Sequence, residues 1–309
     1  MRICASQMHQ VDKVGVSPSR PVSGVVARQV ATERVLAELD RLAPLPTVVM
    51  EVMQAAEDPH ATFSDLEQII CRDLVVMGRV FKLANSAFYA RGEPLKTMGE
   101  ALRRLGFTTI KTLVMAAGAG KILTQSLQHY AYSPFGFWKH SLGLALVARL
   151  LARHLGFPVH LQDELFLAGL LHDIGKLVLD PILGEVGGIS GRVTPDMELV
   201  AIGFDHSEIG YRIAKKWKLP DHVTAVIAHH HALQVNADFT QHAALIHLGD
   251  YLINDAGVGL SEPAEVEEGL DPAALAILCL EAQTIETIRE VVSDALPTII
   301  ELCEELGQC

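Results

Sequence analysis

The segment LLHDIGKLVLD, residues 170–180, places a histidine and an aspartate side by side in an otherwise apolar run. His172 and Asp173 are followed by Lys176, about one helical turn further along. Burying an ionised carboxylate among apolar residues costs on the order of several kcal/mol unless a positive group compensates it. An arginine, a lysine or a metal ion could supply that compensation. The pair therefore indicates a charged site inside the protein.

Further histidines and one aspartate lie on apolar faces of separate segments that have helical spacing. These are His140, His206, His230, His231 and Asp250. His140, for example, begins a stripe that continues through Leu144 and Val147. Any one of these residues alone would more often be an ordinary core histidine, but buried imidazoles and carboxylates need partners. A divalent cation is the most economical shared partner for the whole set.

Imidazole and carboxylate ligands without thiolates suit iron, manganese or zinc. We expect one or two ions, iron before manganese or zinc. Asp173 could bridge two ions while His172 binds one. Two ions roughly 3.5–4 Å apart would polarise a phosphoryl oxygen and hold a hydroxide for in-line attack. Lys176 would meet the phosphate as a point charge, although a solvated lysine near a helix end fits the sequence equally well. Asp173 and Lys176 are the candidate catalytic residues.

The elements that must position these residues are helices. From Thr32 onward almost every segment repeats its apolar residues with a period of 3.6 rather than 2, as in FSDLEQIICRDLVVMGRVFKLANSAFY and FWKHSLGLALVARLLARHLG. Alternating strand patterns with hairpin turns do not occur, so the predicted fold is all-α. The capping residue and apolar spacing of TERVLAEL indicate that order begins near Thr32. Residues 1–30 are expected to be a disordered arm.

Composition limits the classes of function. The chain has 309 residues and a formal charge of -12, from 37 acidic and 25 basic residues, which argues against a general binder of phosphate backbones. We therefore expect no direct DNA binding. The five cysteines form no CxxC pair, which fits a reducing compartment. The sequence has no signal peptide and no run of about 18 apolar residues, so we expect a cytoplasmic protein without a membrane segment.

The order of the candidate ligands resembles a known pattern. His140, His172-Asp173, His206, His230-His231 and Asp250 follow the H…HD…H…HH…D arrangement of the HD phosphohydrolase superfamily, and HDIGK is similar to the form in HD-GYP phosphodiesterases. The segments LANSAFY and HSEIGYRIAKKWKLP resemble the HDOD family more closely, over residues 35 to 255. In that pattern the paired histidines follow the LP after the tryptophan at a fixed interval. This interval selects His230 and His231, with His229 as the fallback.

The resemblance implies a domain layout and a metal site. It implies an HD-like helical bundle at residues 126–255, which binds metal, with an additional N-terminal helical subdomain at residues 31–125. C-terminal helices would occupy residues 256–309. The implied metal ligands are His140, His172, Asp173, His206, His230, His231 and Asp250. In LANSAFY, Asn85 and Ser86 could contact a ligand or partner, but capping of a helix C-terminus is favoured.

Two functions follow from the resemblance. The first is a metal-dependent phosphohydrolase or phosphodiesterase acting on a nucleotide or cyclic dinucleotide. The second is a regulatory module that binds metal or nucleotide without turnover and engages a protein partner in a signalling pathway. The complete ligand set favours the first. The second is favoured because HHHALQVNADFT replaces the Gly-Tyr-Pro segment and because many HDOD proteins have lost ligands.

Overall fold

A computed structural model describes residues 21–42, 44–90, 92–186, 193–233, 239–261 and 269–307. Fifteen helices occupy most of these residues: α1 (Pro21–Arg41), α2 (Thr47–Glu57), α3 (Phe63–Ile70), α4 (Leu74–Asn85), α5 (Met98–Leu105), α6 (Phe107–Leu123), α7 (Gly136–His154), α8 (Val159–Leu171), α9 (Lys176–Val186), α10 (Pro195–Ala201), α11 (His206–Lys216), α12 (Asp221–His229), α13 (Thr240–Asp255), α14 (Pro272–Ile277) and α15 (Ala282–Gly307). Within the described ranges, the only extended pairing is a single bridge between Tyr132 and Leu260. The all-α prediction is confirmed.

The centre of the fold is the packed pair α7 and α8. Both helices are buried along almost their whole length, and α13 and α15 pack on α7 while α6 and α12 pack on α8. Gly169 of α8 lies against the backbone of Ala145 on α7, where an added Cβ would come within 3.2 Å of it. This close approach sets the short distance between the two helices that carry His140 and His172.

A buried ion pair joins the same two helices. Arg149 of α7 donates to Asp163 of α8, and the other carboxylate oxygen of Asp163 accepts from Thr109 of α6 at 2.6 Å. Arg149 also donates to the backbone oxygen of Phe88 at 3.3 Å and lies over the ring of Tyr89. The pair therefore ties the segment after α4 to the centre of the fold.

Helix α1 differs from the expectation. It begins at Pro21, before Thr32, so residues 21–30 are helical rather than a disordered arm; residues 1–20 lie outside the described residues. The helix packs mainly on α9, which lies far from it in sequence. Arg34 pairs with Glu185 at 2.8 Å, and Lys216 donates to the Leu39 carbonyl at 2.6 Å. Tertiary contacts thus hold a helix that the local sequence signals only in part.

Hydrogen bonds fix the end of α4 and the position of the C-terminal helix. α4 ends at Asn85, and Ser86 is its C-cap, with its hydroxyl donating to the Leu83 carbonyl at 2.6 Å. Ser86 therefore caps the helix as expected, whereas the Asn85 side chain donates to the Leu95 carbonyl at 3.2 Å and accepts from the Leu95 N–H at 2.7 Å. Helix α15 packs on α7, and Trp138 donates its indole N–H to the Cys303 carbonyl at 2.8 Å. None of the described helices is long and apolar enough to cross a membrane.

Candidate metal centre

The histidine–aspartate pair lies in the turn between α8 and α9. Helix α8 ends at Leu171, His172 is its C-cap, and α9 begins at Lys176. Gly175, the last residue of the turn, lies so close to α11 that a Cβ on it would be 1.9 Å from the His206 backbone oxygen. The glycine of the HDIGK motif is therefore needed for this close approach, which brings the start of α11 to the turn.

Two groups of ligand atoms converge on this turn, and the first comes from α7, the turn and α13. His140 Nε2 lies 3.4 Å from His172 Nε2 and 3.2 Å from Asp250 Oδ1. His172 Nε2 lies 3.8 Å from the same Asp250 oxygen. Two imidazoles bound to one ion through bonds of about 2.1 Å would have nitrogens roughly 3–3.5 Å apart. The spacing of these three residues fits one ion.

The second group joins the turn to α11 and to the end of α12. His206 Nε2 lies 3.1 Å from Asp173 Oδ1, 3.4 Å from His230 Nε2 and 3.0 Å from His231 Nε2. The four ligand atoms, from Asp173, His206, His230 and His231, all lie within 4.8 Å of one another. His229 belongs to neither group among the described residues.

Asp173 stands between the groups. Its Oδ1 faces His206 at 3.1 Å, whereas its Oδ2 lies 3.2 Å from His172 Nε2 and 3.6 Å from His140 Nε2. The residue is almost completely buried, yet Oδ1 accepts no hydrogen bond from any described residue in spite of its histidine neighbours. Imidazole nitrogens and carboxylate oxygens that converge at such distances suit a cation. The donor set therefore fits a divalent ion in each group.

Hydrogen bonds on the far side of the rings orient several ligands. His172 Nδ1 donates to the Gly169 carbonyl at 2.8 Å, and His230 Nδ1 donates to the Ile227 carbonyl at 3.0 Å. A proton on Nδ1 leaves the Nε2 lone pair free for the site, as is usual for histidines that bind metal. The site is thus arranged by backbone groups of the helices that precede each histidine.

Lys176 is not a solvated side chain. Its ammonium lies 2.5 Å from Asp173 Oδ2 and 3.5 Å from the Tyr132 hydroxyl, and its side chain is 14% exposed. The rings of Tyr130 and Tyr132 lie 5.3 and 5.7 Å from the ammonium. Tyr132 also donates to Asp173 Oδ2 at 3.2 Å. Lysine and tyrosine together provide the positive and donating groups that a buried Asp173 requires.

These contacts shift the pKa values of the ligands. Burial works to raise the pKa of Asp173, but the neighbouring His172 and Lys176 outweigh it and hold the pKa well below its usual range. Burial lowers the pKa of His230 to about 4. For His206, burial also works downward, but Glu198 and Asp173 outweigh it and raise the pKa to about 9. The carboxylate is therefore ready to bind a cation, and a cation at His206 would replace a proton.

A cleft opens over the ligands. Its cavity volume is about 60 Å³, and its lining includes Tyr130, Tyr132, Lys176, His231, Tyr251 and Asn254. Lys176 is the only lysine or arginine among the described lining residues. Side chains of both ligand groups and the ammonium of Lys176 therefore border the same opening.

The sequence did not reveal three of the residues around the site. Tyr130 and Tyr132 lie in a break between helical segments, and Glu198 lies just after a glycine-rich loop, so no helical face directed attention to them. The available signal for Glu198 is its place in a short capped helix, with Thr194 accepting from the Met197 N–H and Pro195 at the first position. The tyrosines carry no such signal, because loop geometry places them.

The sequence model of the HDOD domain matches residues 42–233, and the chain belongs to the HDOD family. An uncharacterized protein of Treponema pallidum is 26% identical over 202 residues, which are 63% of this chain and 38% of the relative. Ribonuclease Y of Thermus thermophilus is 32% identical over 176 residues, 52% of this chain and 26% of the relative. The chain therefore spans well under half the length of these relatives.

Solved structures share the fold. An HDOD domain protein of unknown function from Geobacter sulfurreducens has a TM-score of 0.69 at 21% identity, covering 91% of this chain and 99% of its own. A protein of Shewanella amazonensis, described only as a candidate phosphohydrolase, has a TM-score of 0.67 at 22% identity, covering 89% of this chain and 98% of its own. At these identities the likeness concerns the fold alone.

Proposed function

We propose that this chain is an HDOD signalling protein whose HD-type centre binds two divalent ions and hydrolyses a phosphoester bond of a nucleotide. The observation that carries the proposal is the position of Asp173, with one carboxylate oxygen directed at each of the two ligand groups. His140, His172 and Asp250 would hold one ion, and His206, His230 and His231 the other. Iron is the first metal to test, with manganese and zinc as alternatives. Location in the cytoplasm remains a prediction.

The ions, when bound, would polarise the phosphoryl group and lower the pKa of a water molecule. The residues of the chain supply the rest. Lys176 holds a fixed positive charge at the mouth of the centre, 2.5 Å from Asp173 Oδ2, where it would offset the charge of a phosphate. Tyr132, bonded to both Lys176 and Asp173, keeps this arrangement in place. The name of the relative Ribonuclease Y supports a phosphodiester as the substrate class.

The proposal is tested on protein purified without a histidine tag. Inductively coupled plasma mass spectrometry should find two equivalents of iron, manganese or zinc, and the double variant His172→Ala, Asp173→Ala should lose them. The control Asp221→Asn changes an exposed aspartate at the start of α12, the helix that leads to His230. It should bind like the unaltered protein. Absence of metal in the unaltered protein after reconstitution would refute the proposal.

Hydrolysis is measured on the metal-loaded protein. Bis(p-nitrophenyl) phosphate, p-nitrophenyl phosphate and cyclic dinucleotides form the first panel, with the double variant as the blank. Hydrolysis of a diester by the unaltered protein, without hydrolysis by the double variant, supports phosphodiesterase activity.

The second candidate, a regulatory module without turnover, is favoured by the surface of α4. Leu74 is 72% exposed and Val75 is 57% exposed on its first turn, away from the cleft. Exposed apolar residues of this kind suit a protein partner. Tight metal binding with no hydrolysis of any substrate in the panel, together with partner binding lost in Leu74→Ser, would favour this role.

A further inference from the structure

We propose that Glu198 is a positioning residue for the ligand His206 and couples that ligand to Tyr130 on the wall of the cleft. The inference rests on the proposed metal centre. Glu198 lies on α10, outside both ligand groups, and is completely buried. A buried carboxylate is costly unless donors surround it, so its neighbours indicate what it does.

Two residues donate hydrogen bonds to the Glu198 carboxylate. Oε2 accepts from the His206 backbone N–H at 2.7 Å and from His206 Nδ1 at 2.8 Å. Oε1 accepts from the Tyr130 hydroxyl at 2.6 Å. One carboxylate thus fixes the start of α11, the ring of His206 and a tyrosine of the cleft.

The contact determines which nitrogen of His206 faces the centre. With Nδ1 donating to Glu198, Nε2 is the nitrogen that faces Asp173 Oδ1, 3.1 Å away, and through it His206 would bind an ion. His172 and His230 use backbone carbonyls for the same purpose. A carboxylate makes the ring a stronger ligand than a carbonyl does. The ion held by His206 should therefore depend on Glu198, whereas the ion held by His140 and His172 should not.

A purely structural explanation is available and predicts something different. If Glu198 only caps α11 through the His206 N–H, its loss would weaken the helix without changing the tautomer of the ring. The nitrogen shifts of His206 in a long-range ¹H–¹⁵N spectrum separate the two explanations when they are recorded above the His206 pKa of about 9, where the ring is neutral. They report directly which nitrogen carries the proton and need neither metal nor activity.

The experiment compares Glu198→Gln with Glu208→Gln. Glu208 is an exposed carboxylate on the same helix as His206, paired with Arg212, so its variant controls for loss of charge. Zinc is titrated into each protein in competition with a chromophoric chelator. We expect Glu198→Gln to weaken one of two sites by about 10–100-fold and to give a mixture of His206 tautomers. Glu208→Gln should match the unaltered protein in both measurements.

The possible results separate this inference from the proposed function. If the unaltered protein binds no zinc, the metal centre fails, and the tautomer in the metal-free protein still decides the role of Glu198. If both sites keep their affinity in Glu198→Gln and the Nδ1–H tautomer persists, the inference is overturned. If that variant does not fold, Tyr130→Phe replaces it. A changed His206 nitrogen shift in Tyr130→Phe supports the coupling, and an unchanged shift overturns it.

Discussion

Replacing Gly175 by alanine should disturb the metal centre without changing any ligand. The added Cβ would lie 1.9 Å from the His206 backbone oxygen and 2.7 Å from the Gly210 backbone nitrogen. Real Cβ contacts essentially never fall below 3.0 Å, so the turn and α11 must separate by about 1 Å. Both contacts are with backbone, so no side-chain rotation relieves them. The start of α11, including His206, has to move.

The size of the effect follows from that displacement. Overpacking of a well-packed interior costs about 1–3 kcal/mol, and each kcal/mol lowers the Tm of a protein this large by roughly 2–4 °C. We therefore expect Gly175→Ala to lower the Tm by about 2–12 °C. A misplacement of 1 Å can cost about 100-fold in rate. Zinc affinity in the group that contains His206 should fall more than in the group that contains His140.

The assay is differential scanning calorimetry combined with zinc titration, and Gly78→Ala is the matched control. Gly78 lies within helix α4, and nothing lies within 4 Å of an added Cβ there. Alanine at this position should raise stability by about 0.5–1 kcal/mol because it favours the helix. If Gly175→Ala has the same Tm as Gly78→Ala and binds zinc with the affinity of the unaltered protein, the close approach of the turn to α11 is refuted.

Three further predictions concern the ligands, the thiols and pH. Asp173→Asn should remove both equivalents of metal while His172→Ala removes only one; equal losses by mass spectrometry would contradict a bridging carboxylate. At pH 8, N-ethylmaleimide should label the exposed Cys71 but not Cys303, because burial raises the pKa of the Cys303 thiol to about 12, and peptide mapping checks this. Two carboxylates outweigh burial and raise the pKa of His206 to about 9. In metal-free protein the raised His206 pKa stabilises the fold by on the order of 3 kcal/mol below pH 6.5, and this contribution is lost as the pH rises through 9. Urea unfolding at pH 6.5 and 9.5 measures the difference. A free energy of unfolding that rises between these two pH values would contradict the prediction.

The helical faces of the sequence predicted that His140, His206 and Asp250 point inward, because a helix buries one face and its polar members must meet inside. His140 and Asp250 illustrate this, since each sits in an apolar stripe and they approach to 3.2 Å. His172 and Asp173 instead lie in the turn after α8, and His230 and His231 at the end of α12. The role of all these residues as ligands remains a prediction. The metal's identity is beyond such reasoning, because the same imidazoles and carboxylates suit several ions.

The features that sequence reasoning missed depend on tertiary packing. Glu198 acts through a backbone N–H and a ring that belong to a different helix, and no periodicity marks such a contact. Helix α1 was expected to start later because its first residues lack a strong cap and apolar stripe, yet it packs on α9. Long-range contacts of this kind outweigh local propensity.

The ion pair of Arg149 and Asp163 has a consequence for how the family can change over time. Arg149 follows His140 on α7 by as many residues as Asp163 precedes His172 on α8. The relative position of the two helices is therefore fixed at the end away from the metal centre. Mutations that remove metal ligands leave the Arg149–Asp163 ion pair intact, so the fold can persist after metal binding is lost. A descendant that has lost its histidines could keep the same shape and be selected for binding alone.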